Sequence, residues 1–206
     1  MNRRLFSSLS AFLTSLALLT SATSFAQTVE APDAFIKRLS VDVLDTIKAD
    51  KAIQGGDVSK ITALVDTKIM PNVNFQRMTA SAVGRAWRTA TPDQQKRLEG
   101  EFKALLMRTY SGALSEVKDQ SIVMKPLRMA ADDTEVTVRS EIKGRGDPIA
   151  LDYRVEKAGS AWKIYDLNVA SVWLVETYRT QFAQEINANG IDGLIAKLAE
   201  RNKGRK

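Results

Sequence analysis

The stretch EVTVRSEIKGRGDPIALDYRVEKAGSAWKIYDLNV, residues 135–169, decides the fold class. Apolar and polar residues alternate before Gly144 and again after Pro148, with Val136, Val138, Ile142, Ile149, Leu151, Tyr153 and Val155 at every second position or nearly so. A period of two is typical of strands with one buried face. The glycine- and proline-containing turns at 144–148 and 158–160 are short, so the strands they join are predicted to be antiparallel.

Two further strands complete the predicted sheet. One covers residues 122–129, and the other covers residues 162–169. The last strand breaks the alternation, because simple alternation puts Trp162, Ile164, Asp166 and Asn168 on one face and Lys163, Tyr165, Leu167 and Val169 on the other. Both faces then carry apolar groups and are expected to be covered. The sequence therefore predicts a four-stranded antiparallel sheet over residues 120–169.

Helical periodicity flanks the sheet on both sides. Residues 31–117 form the predicted helical part, whose longest helix starts at Thr91 and Pro92, an N-cap followed by a proline suited to the first helical turn. Two helices separated by Asn189 and Gly190 are predicted over residues 171–200, followed by a basic tail at 201–206. Helices, then a sheet, then helices make an α+β fold.

The first 26 residues have the order of a secretory signal peptide. Arg3 and Arg4 precede an apolar stretch, and Ser24 and Ala26 stand at the −3 and −1 positions of a cleavage site. The alternative is an uncleaved anchor. Cleavage leaves a single domain, residues 27–206, with 28 basic and 24 acidic residues, a net charge of +4. This mild charge and the export signal argue against nucleic acid as a partner.

The chain contains neither cysteine nor histidine. Thiol nucleophiles, disulfides, Cys-based metal sites and imidazole general bases are therefore excluded, and no metal site or cofactor is expected. Asp166 is the remaining candidate for proton-transfer chemistry, with Tyr153 or Tyr165 beside it. Its other interpretation is a buried carboxylate that accepts hydrogen bonds from the neighbouring backbone or from the start of the following helix. The second interpretation is favoured, because neither a partner acid nor a histidine accompanies Asp166.

Apolar side chains on the predicted elements are candidates for a pocket. A long helix laid across an antiparallel sheet forms a cone, and the same residues fill the core or line a cavity, which spacing alone does not distinguish. The positions predicted to line a cavity are Val73, Phe75, Val83, Trp87, Phe102, Leu106, Tyr110, Val138, Tyr153, Ile164, Val172, Leu174 and Tyr178. Four cations near turns and strand ends, Arg85, Arg88, Lys143 and Lys163, are either a solvated surface or a rim for a phosphate group.

Three blocks of sequence resemble the MlaC family, also called the toluene-tolerance Ttg2 family. They are residues 84–95 (GRAWRTATPDQQ) with Phe102 and Tyr110 on the next helix, residues 162–167 (WKIYDL) with 172–182, and residues 189–195 (NGIDGLI). The resemblance covers nearly all of the chain after residue 26. One departure is Ser171-Val172-Trp173, where family members often have Gly-Val-Ser, so Trp173 is expected to reshape a pocket edge.

The resemblance implies an NTF2-like sheet wrapped by helices and a soluble periplasmic carrier, a monomer and not an enzyme. Its ligand would be a phospholipid with buried tails and an exposed headgroup. Its partners would be an outer-membrane lipoprotein–porin complex and an inner-membrane ABC transporter complex. The alternatives from the residues are a proton-transfer enzyme of the same fold using Asp166, or a periplasmic chaperone for apolar peptides.

Overall fold

The computed structural model describes residues 30–204, so the predicted signal peptide and the last two residues of the basic tail lie outside the described residues. The helices are α1 Pro32–Ala49, α2 Lys51–Gln54, α3 Val58–Leu64, α4 Phe75–Val83, α5 Pro92–Ser115 and α6 Leu174–Lys203, and the strands are β1 Ser121–Met124, β2 Glu135–Lys143, β3 Ile149–Ala158, β4 Ala161–Val169 and β5 Val172–Trp173. The order of helices, sheet and helix confirms the α+β prediction.

Local sequence explains where α1 and α5, the two longest helices before the sheet, begin. Thr91 caps α5 through a reciprocal pair of bonds, because its Oγ1 accepts from the Gln94 amide and its own amide donates to Gln94 Oε1. Pro32 and Pro92 occupy the first positions of α1 and α5, where a missing N–H costs nothing. α4 ends at Gly84, whose φ of 72° lies in the left-handed region that glycine tolerates.

The sheet has five strands in sequential order, all antiparallel, so the prediction of four strands was wrong. The additional strand arises because Ala170 and Ser171 both have positive φ, 49° and 69°, and reverse the chain within two residues. Val172 and Trp173 then pair with β4. They had been predicted to open a helix, which starts at Leu174 instead.

The first strand is also shorter than predicted. Residues 122–129 were expected to be extended and paired, but β1 ends at Met124. Pro126 has no amide proton and so cannot continue a ladder of hydrogen bonds.

A β-bulge in β4 overturns the expectation that Asp166 shares a face with Ile164. The register shifts opposite Arg154 and Val155, so that Ile164 pairs with Val155 and Asp166 pairs with Arg154. Residues that pair directly point to the same face. Ile164 therefore lies on the face that packs against α1, called the inner face, and Asp166 lies on the opposite, outer face. One extra residue, Tyr165, produces the switch.

The last helix is broken where the sequence predicts. Gly190, with φ 70° and ψ −174°, interrupts α6 between two helical arms. The second arm continues to Lys203, three residues into the predicted basic tail. Arg108 of α5 explains this extension, because its guanidinium donates to the Arg201 carbonyl over 2.7 Å and satisfies an end group of the helix.

The buried apolar residues form three clusters. The inner-sheet cluster joins α1 to β2, β3 and β4 and consists of Phe35, Ile36, Leu39, Val136, Val138, Tyr153, Val155, Trp162 and Ile164. The helical cluster joins α4, α5 and α6 and consists of Met78, Ala82, Val83, Leu98, Phe102, Leu105, Leu174, Val175, Tyr178, Phe182, Leu194, Ile195 and Leu198. A third cluster, around Leu44, Ile47 and Ile61, fills the space among α1, α2 and α3.

Candidate functional site

A seam runs between the inner-sheet cluster and the helical cluster. Val73 and Leu167 pack against both clusters, Leu167 from β4 and Val73 from the segment that bridges to β4. Val73 lies there because its backbone pairs with Ile164 in a short parallel bridge, continued by the Asn74 amide, which donates to the Ile164 carbonyl over 2.8 Å. The seam is therefore apolar on both sides.

Aromatic rings occupy the helical side of the seam. Phe102 is fully buried, and its ring lies 5.0 Å from that of Tyr178, 5.3 Å from that of Phe182 and 5.8 Å from that of Phe75. The two contacts with α6 are edge-to-face, an arrangement favoured by the ring quadrupoles. Phe102 thereby joins α5 to both α4 and α6.

The structure brings twelve of the thirteen predicted lining residues into the two clusters beside the seam. Val83, Phe102, Leu174 and Tyr178 are buried in the helical cluster, and Val138, Tyr153 and Ile164 are buried in the inner-sheet cluster. The partly buried members that pack against these clusters are Val73, Phe75, Trp87, Leu106 and Tyr110. The thirteenth, Val172, is 50% exposed.

Val172 belongs to an apolar strip on the inner face at one end of the sheet. The strip consists of Ile142, Ile149, Leu151, Val169 and Val172, connected through the direct pairs 142–149, 151–169 and 169–172. Ile149 is 49% exposed, and Leu151 packs against the inner-sheet cluster. This open strip therefore carries apolar surface continuously from the interior to solvent.

Four of the five residues of the open strip, all except Val172, were not among the predicted lining positions. The period-two alternation had already placed Ile142, Ile149 and Leu151 on the face of Val138 and Tyr153, and that signal was sufficient to include them. Val169 was hidden by the bulge, which exchanges the two faces of β4 within one residue.

Polar atoms on the inner face are satisfied. Tyr153 and Ser40 of α1 form a hydrogen bond between their hydroxyls, 3.3 Å apart, and the Ser140 hydroxyl donates to the Leu151 carbonyl over 2.5 Å. Burial raises the pKa of Tyr153 to about 12, so its hydroxyl is neutral at physiological pH. This part of the interior therefore presents no charge.

Asp166 acts as a buried acceptor at the start of α6. It is 1% exposed, its Oδ1 accepts from the amides of Leu167 over 2.8 Å and Val175 over 3.1 Å, and its Oδ2 accepts from Arg154 over 2.9 Å. These bonds confirm the interpretation of Asp166 as a buried carboxylate that accepts hydrogen bonds from the neighbouring backbone and from the start of the following helix. Burial raises the pKa of Asp166 above its usual range, against the lowering effect of its donors.

The groups expected for proton transfer are not assembled together. Tyr153 lies on the inner face and Asp166 on the outer face, so the sheet separates them. Tyr165 shares the outer face, but its hydroxyl donates to Glu135 over 3.0 Å. The Tyr165 hydroxyl and the Asp166 carboxylate are therefore each engaged in hydrogen bonds within the protein.

An outer-face network holds α4 against the sheet. The Arg77 guanidinium lies 3.7 Å from the centroid of the Tyr165 ring and forms ion pairs with Glu135, at 2.8 Å, and Glu156. Asn74, the N-cap of α4, donates from Nδ2 to Glu156 over 2.6 Å. The members of this network are far apart in the chain, so the sequence pattern gave no sign of it.

The four predicted rim cations do not form one group. Arg85 and Arg88 are exposed on the 3-10 turn that follows α4, beside the helical cluster. Lys163 lies near the start of β4, where its Nζ donates to the Pro71 carbonyl. Lys143 is the last residue of β2, at the opposite end of the sheet and about 25 Å away at ~3.3 Å per residue.

Residues 30–204 contain no cluster of three or more acidic residues placed to hold a metal ion. Within the same residues, no helix is both long and apolar enough to cross a bilayer.

Fold and site together define a class of protein. A five-stranded antiparallel sheet and a helical layer enclose an apolar interior that reaches the surface along one end of the sheet. A family model described as MlaC protein matches residues 37–200. The chain belongs to the MlaC family.

Named relatives and a solved structure are similar over most of the chain. Toluene tolerance protein ttg2D of Pseudomonas putida is 25% identical over 179 residues, 83% of each chain. The intermembrane phospholipid transport system binding protein MlaC of Haemophilus influenzae is 24% identical over 188 residues, 89% of this chain and 87% of its own. A phospholipid-binding protein from Ralstonia solanacearum, solved in complex with a phospholipid, is 48% identical with a TM-score of 0.83, covering 84% of this chain and 98% of its own.

Proposed function

We propose that this chain is a phospholipid carrier that encloses acyl tails between the inner-sheet cluster and the helical cluster. The observation that carries the proposal is the Ralstonia solanacearum structure, which was solved with a phospholipid. Its sequence is 48% identical to this chain, and the match covers 98% of its length. The thirteen lining residues predicted from the sequence, with the open strip added, are the proposed tail contacts.

The interior has the chemistry that acyl tails require. A diacyl lipid has roughly 30 tail methylenes, each costing ~0.8 kcal/mol in water, so exposing both tails costs on the order of 20 kcal/mol. The seam offers aromatic and aliphatic surface from both clusters, and the nearby hydroxyls of Ser140 and Tyr153 are bonded and neutral. Tails can therefore be transferred there without breaking buried polar interactions.

The open strip is the proposed passage for the tails. Ile149 and Val172 are about half exposed at one end of the sheet, while Leu151 joins the same surface to the interior. A headgroup outside this end stays hydrated, so little headgroup selectivity is expected. Lys143 lies at this end and is the rim cation that we propose for the phosphate, whereas Arg85, Arg88 and Lys163 lie elsewhere.

The proposed role is transport without chemistry on the ligand. The mature chain would start near Gln27, reside in the periplasm as a monomeric NTF2-like domain of residues 27–206, and exchange lipid with an outer-membrane lipoprotein–porin complex and an inner-membrane ABC transporter complex. The relative from Haemophilus influenzae, named as the binding protein of an intermembrane phospholipid transport system, supports this assignment. Release requires an acceptor that offers the tails a better site.

Lipid extraction tests the proposal directly. The protein, purified without detergent, is extracted with organic solvent and the extract is analysed by mass spectrometry, with a parallel native mass spectrum to count bound molecules. About one phospholipid per chain is expected. Folded protein free of lipid that also takes up none from vesicles contradicts the carrier function, and co-purified apolar peptide in its place supports the chaperone hypothesis.

A further inference from the structure

The connection between the last two strands and α6 joins the two sides of the seam. We call residues 169–174 the junction. Val169 and Val172 belong to the open strip, whereas Leu174 is buried in the helical cluster. Trp173 pairs with Asn168 and lies on the outer face. Any displacement of the junction therefore moves residues of the proposed tail passage.

The junction is held in an unfavourable backbone conformation. Ala170 and Ser171 have φ values of 49° and 69°, which side chains with a Cβ rarely adopt. Two-residue hairpin turns of this kind favour Asn-Gly, which this chain lacks at 170–171. β5 is held to the sheet through only two residue pairs. The closed conformation therefore depends on contacts made elsewhere.

Arg154 provides those contacts from the outer face. Its guanidinium carbon lies 4.0 Å from the centroid of the Trp173 ring, and its nitrogens reach Asp166 Oδ2 at 2.9 Å and Glu176 Oε1 at 3.4 Å. Asp166 in turn accepts from the Val175 amide in the first turn of α6. One side chain thus fixes both β5 and the start of α6.

We propose that Arg154 is a positioning residue of the ligand site, which holds the strained junction closed through Trp173 and the first turn of α6 and so sets the rate at which acyl tails enter and leave. This inference rests on the proposed carrier function. Val172 and Trp173 are adjacent and point to opposite faces, so release of Trp173 from Arg154 rotates Val172 out of the open strip.

The test measures transfer of a fluorescent phospholipid from the loaded, full-length mature protein to phosphatidylcholine vesicles. Arg154→Lys keeps a positive charge near Asp166 but loses the planar fork that stacks on Trp173 and spans two carboxylates. We expect transfer about tenfold faster, because charge-assisted bonds that favour the closed junction are weakened. Ala170→Asn combined with Ser171→Gly relieves the backbone and is expected to slow transfer about threefold.

Arg77→Lys is the matched control. Arg77 also lies on the outer face, over Tyr165 and between two glutamates, but it holds α4 and not the junction. Its transfer rate is expected to stay within about twofold of wild type, although its loss of stability should be similar to that of Arg154→Lys. A purely structural role for Arg154 predicts equal rates for both lysine variants.

Each outcome has a defined meaning. Equal rates for Arg154→Lys and Arg77→Lys, or a turn variant that does not slow transfer, overturn the proposal while leaving the carrier function intact. If wild-type protein takes up no fluorescent phospholipid, the experiment fails at the loading step. That result overturns both the proposed role of Arg154 and the carrier function. If Arg154→Lys does not fold, the rate of the turn variant alone decides.

Discussion

Phe102 meets Tyr178 edge to face, with ring centroids 5.0 Å apart and an interplanar angle of 73°. The contact joins the middle of α5 to the first arm of α6, and Phe75 and Phe182 complete the surroundings of the Phe102 ring. This group forms the wall of the seam opposite the sheet. The stability of the wall and the binding of tails are therefore expected to depend on the same residue.

Phe102→Ala should lower the free energy of unfolding by about 3–5 kcal/mol, because it leaves a cavity in a fully buried aromatic group. Urea unfolding followed by far-UV circular dichroism measures the change. Phe102→Leu fills much of the space and should therefore lower the free energy of unfolding clearly less than Phe102→Ala does. Equal losses for the two variants would show that ring contacts, and not volume, stabilise the wall.

Leu106→Arg should reduce phospholipid loading strongly with a moderate loss of stability. Leu106 is partly buried and packs against the helical cluster from its edge, so an arginine there brings charge to the proposed tail site while its stem can reach solvent. Native mass spectrometry gives the lipid-bound fraction. Val58→Arg, the same type of change on the exposed surface of α3, is the control and should load normally. Unfolding of Leu106→Arg without a separate loading defect would make Leu106 an ordinary core residue.

Ile149→Asp should hinder tail passage at the open strip. An aspartate at this position places a hydrated carboxylate on the open strip, so tails crossing this end of the sheet would meet a charge. We expect uptake of phospholipid from vesicles to slow several-fold, with little change in unfolding, because Ile149 is about half exposed. Val41→Asp on the exposed side of α1 serves as the matched control. Equal uptake by both variants would place the passage elsewhere.

The sheet was predictable to the extent that its periodicity was regular. β2 and β3 alternate without interruption, and their inner faces follow from the sequence alone. The bulge at Tyr165 is different, because the break in alternation that it causes in β4 is equally compatible with a regular strand that is covered on both faces. It moved Asp166 and Asn168 to the outer face and Val169 to the inner face.

The strand missed at Val172–Trp173 has a similar cause. Its turn uses Ala170 and Ser171 in place of the asparagine and glycine by which such turns are normally found. Twelve of the thirteen predicted lining residues lie in or against the two clusters beside the seam, because apolar spacing predicts burial whether the surroundings are core or pocket. The outer-face networks of Arg77 and Arg154 join residues that are distant in the chain, which only the folded structure brings together.

Asp166 predicts a specific dependence of stability on pH. Burial raises its pKa in the folded protein, and Arg154 and Glu176 are the charged groups nearby. A carboxyl group with a raised folded pKa binds protons more tightly in the folded state, so its contribution to stability falls as pH rises through that range and grows as pH falls. Comparison with Asp166→Asn isolates this contribution from that of other acids. The stability of wild type relative to the variant should increase from about pH 7 to about pH 4. A constant difference would contradict the raised pKa.

Tyr153→Phe tests whether the buried Tyr153 hydroxyl contributes only to stability or also to phospholipid binding. The change removes the hydroxyl bonded to Ser40 and should cost about 1 kcal/mol in unfolding free energy, with phospholipid loading unchanged, because the ring remains in the inner-sheet cluster. With the pKa of Tyr153 raised to about 12 in the folded protein, ionisation destabilises the fold above about pH 10, and this alkaline loss should be smaller in the variant. Unfolding titrations at neutral and alkaline pH, with lipid counting on the same samples, measure both effects. Loss of loading with unchanged stability would instead assign the hydroxyl a direct role toward the ligand.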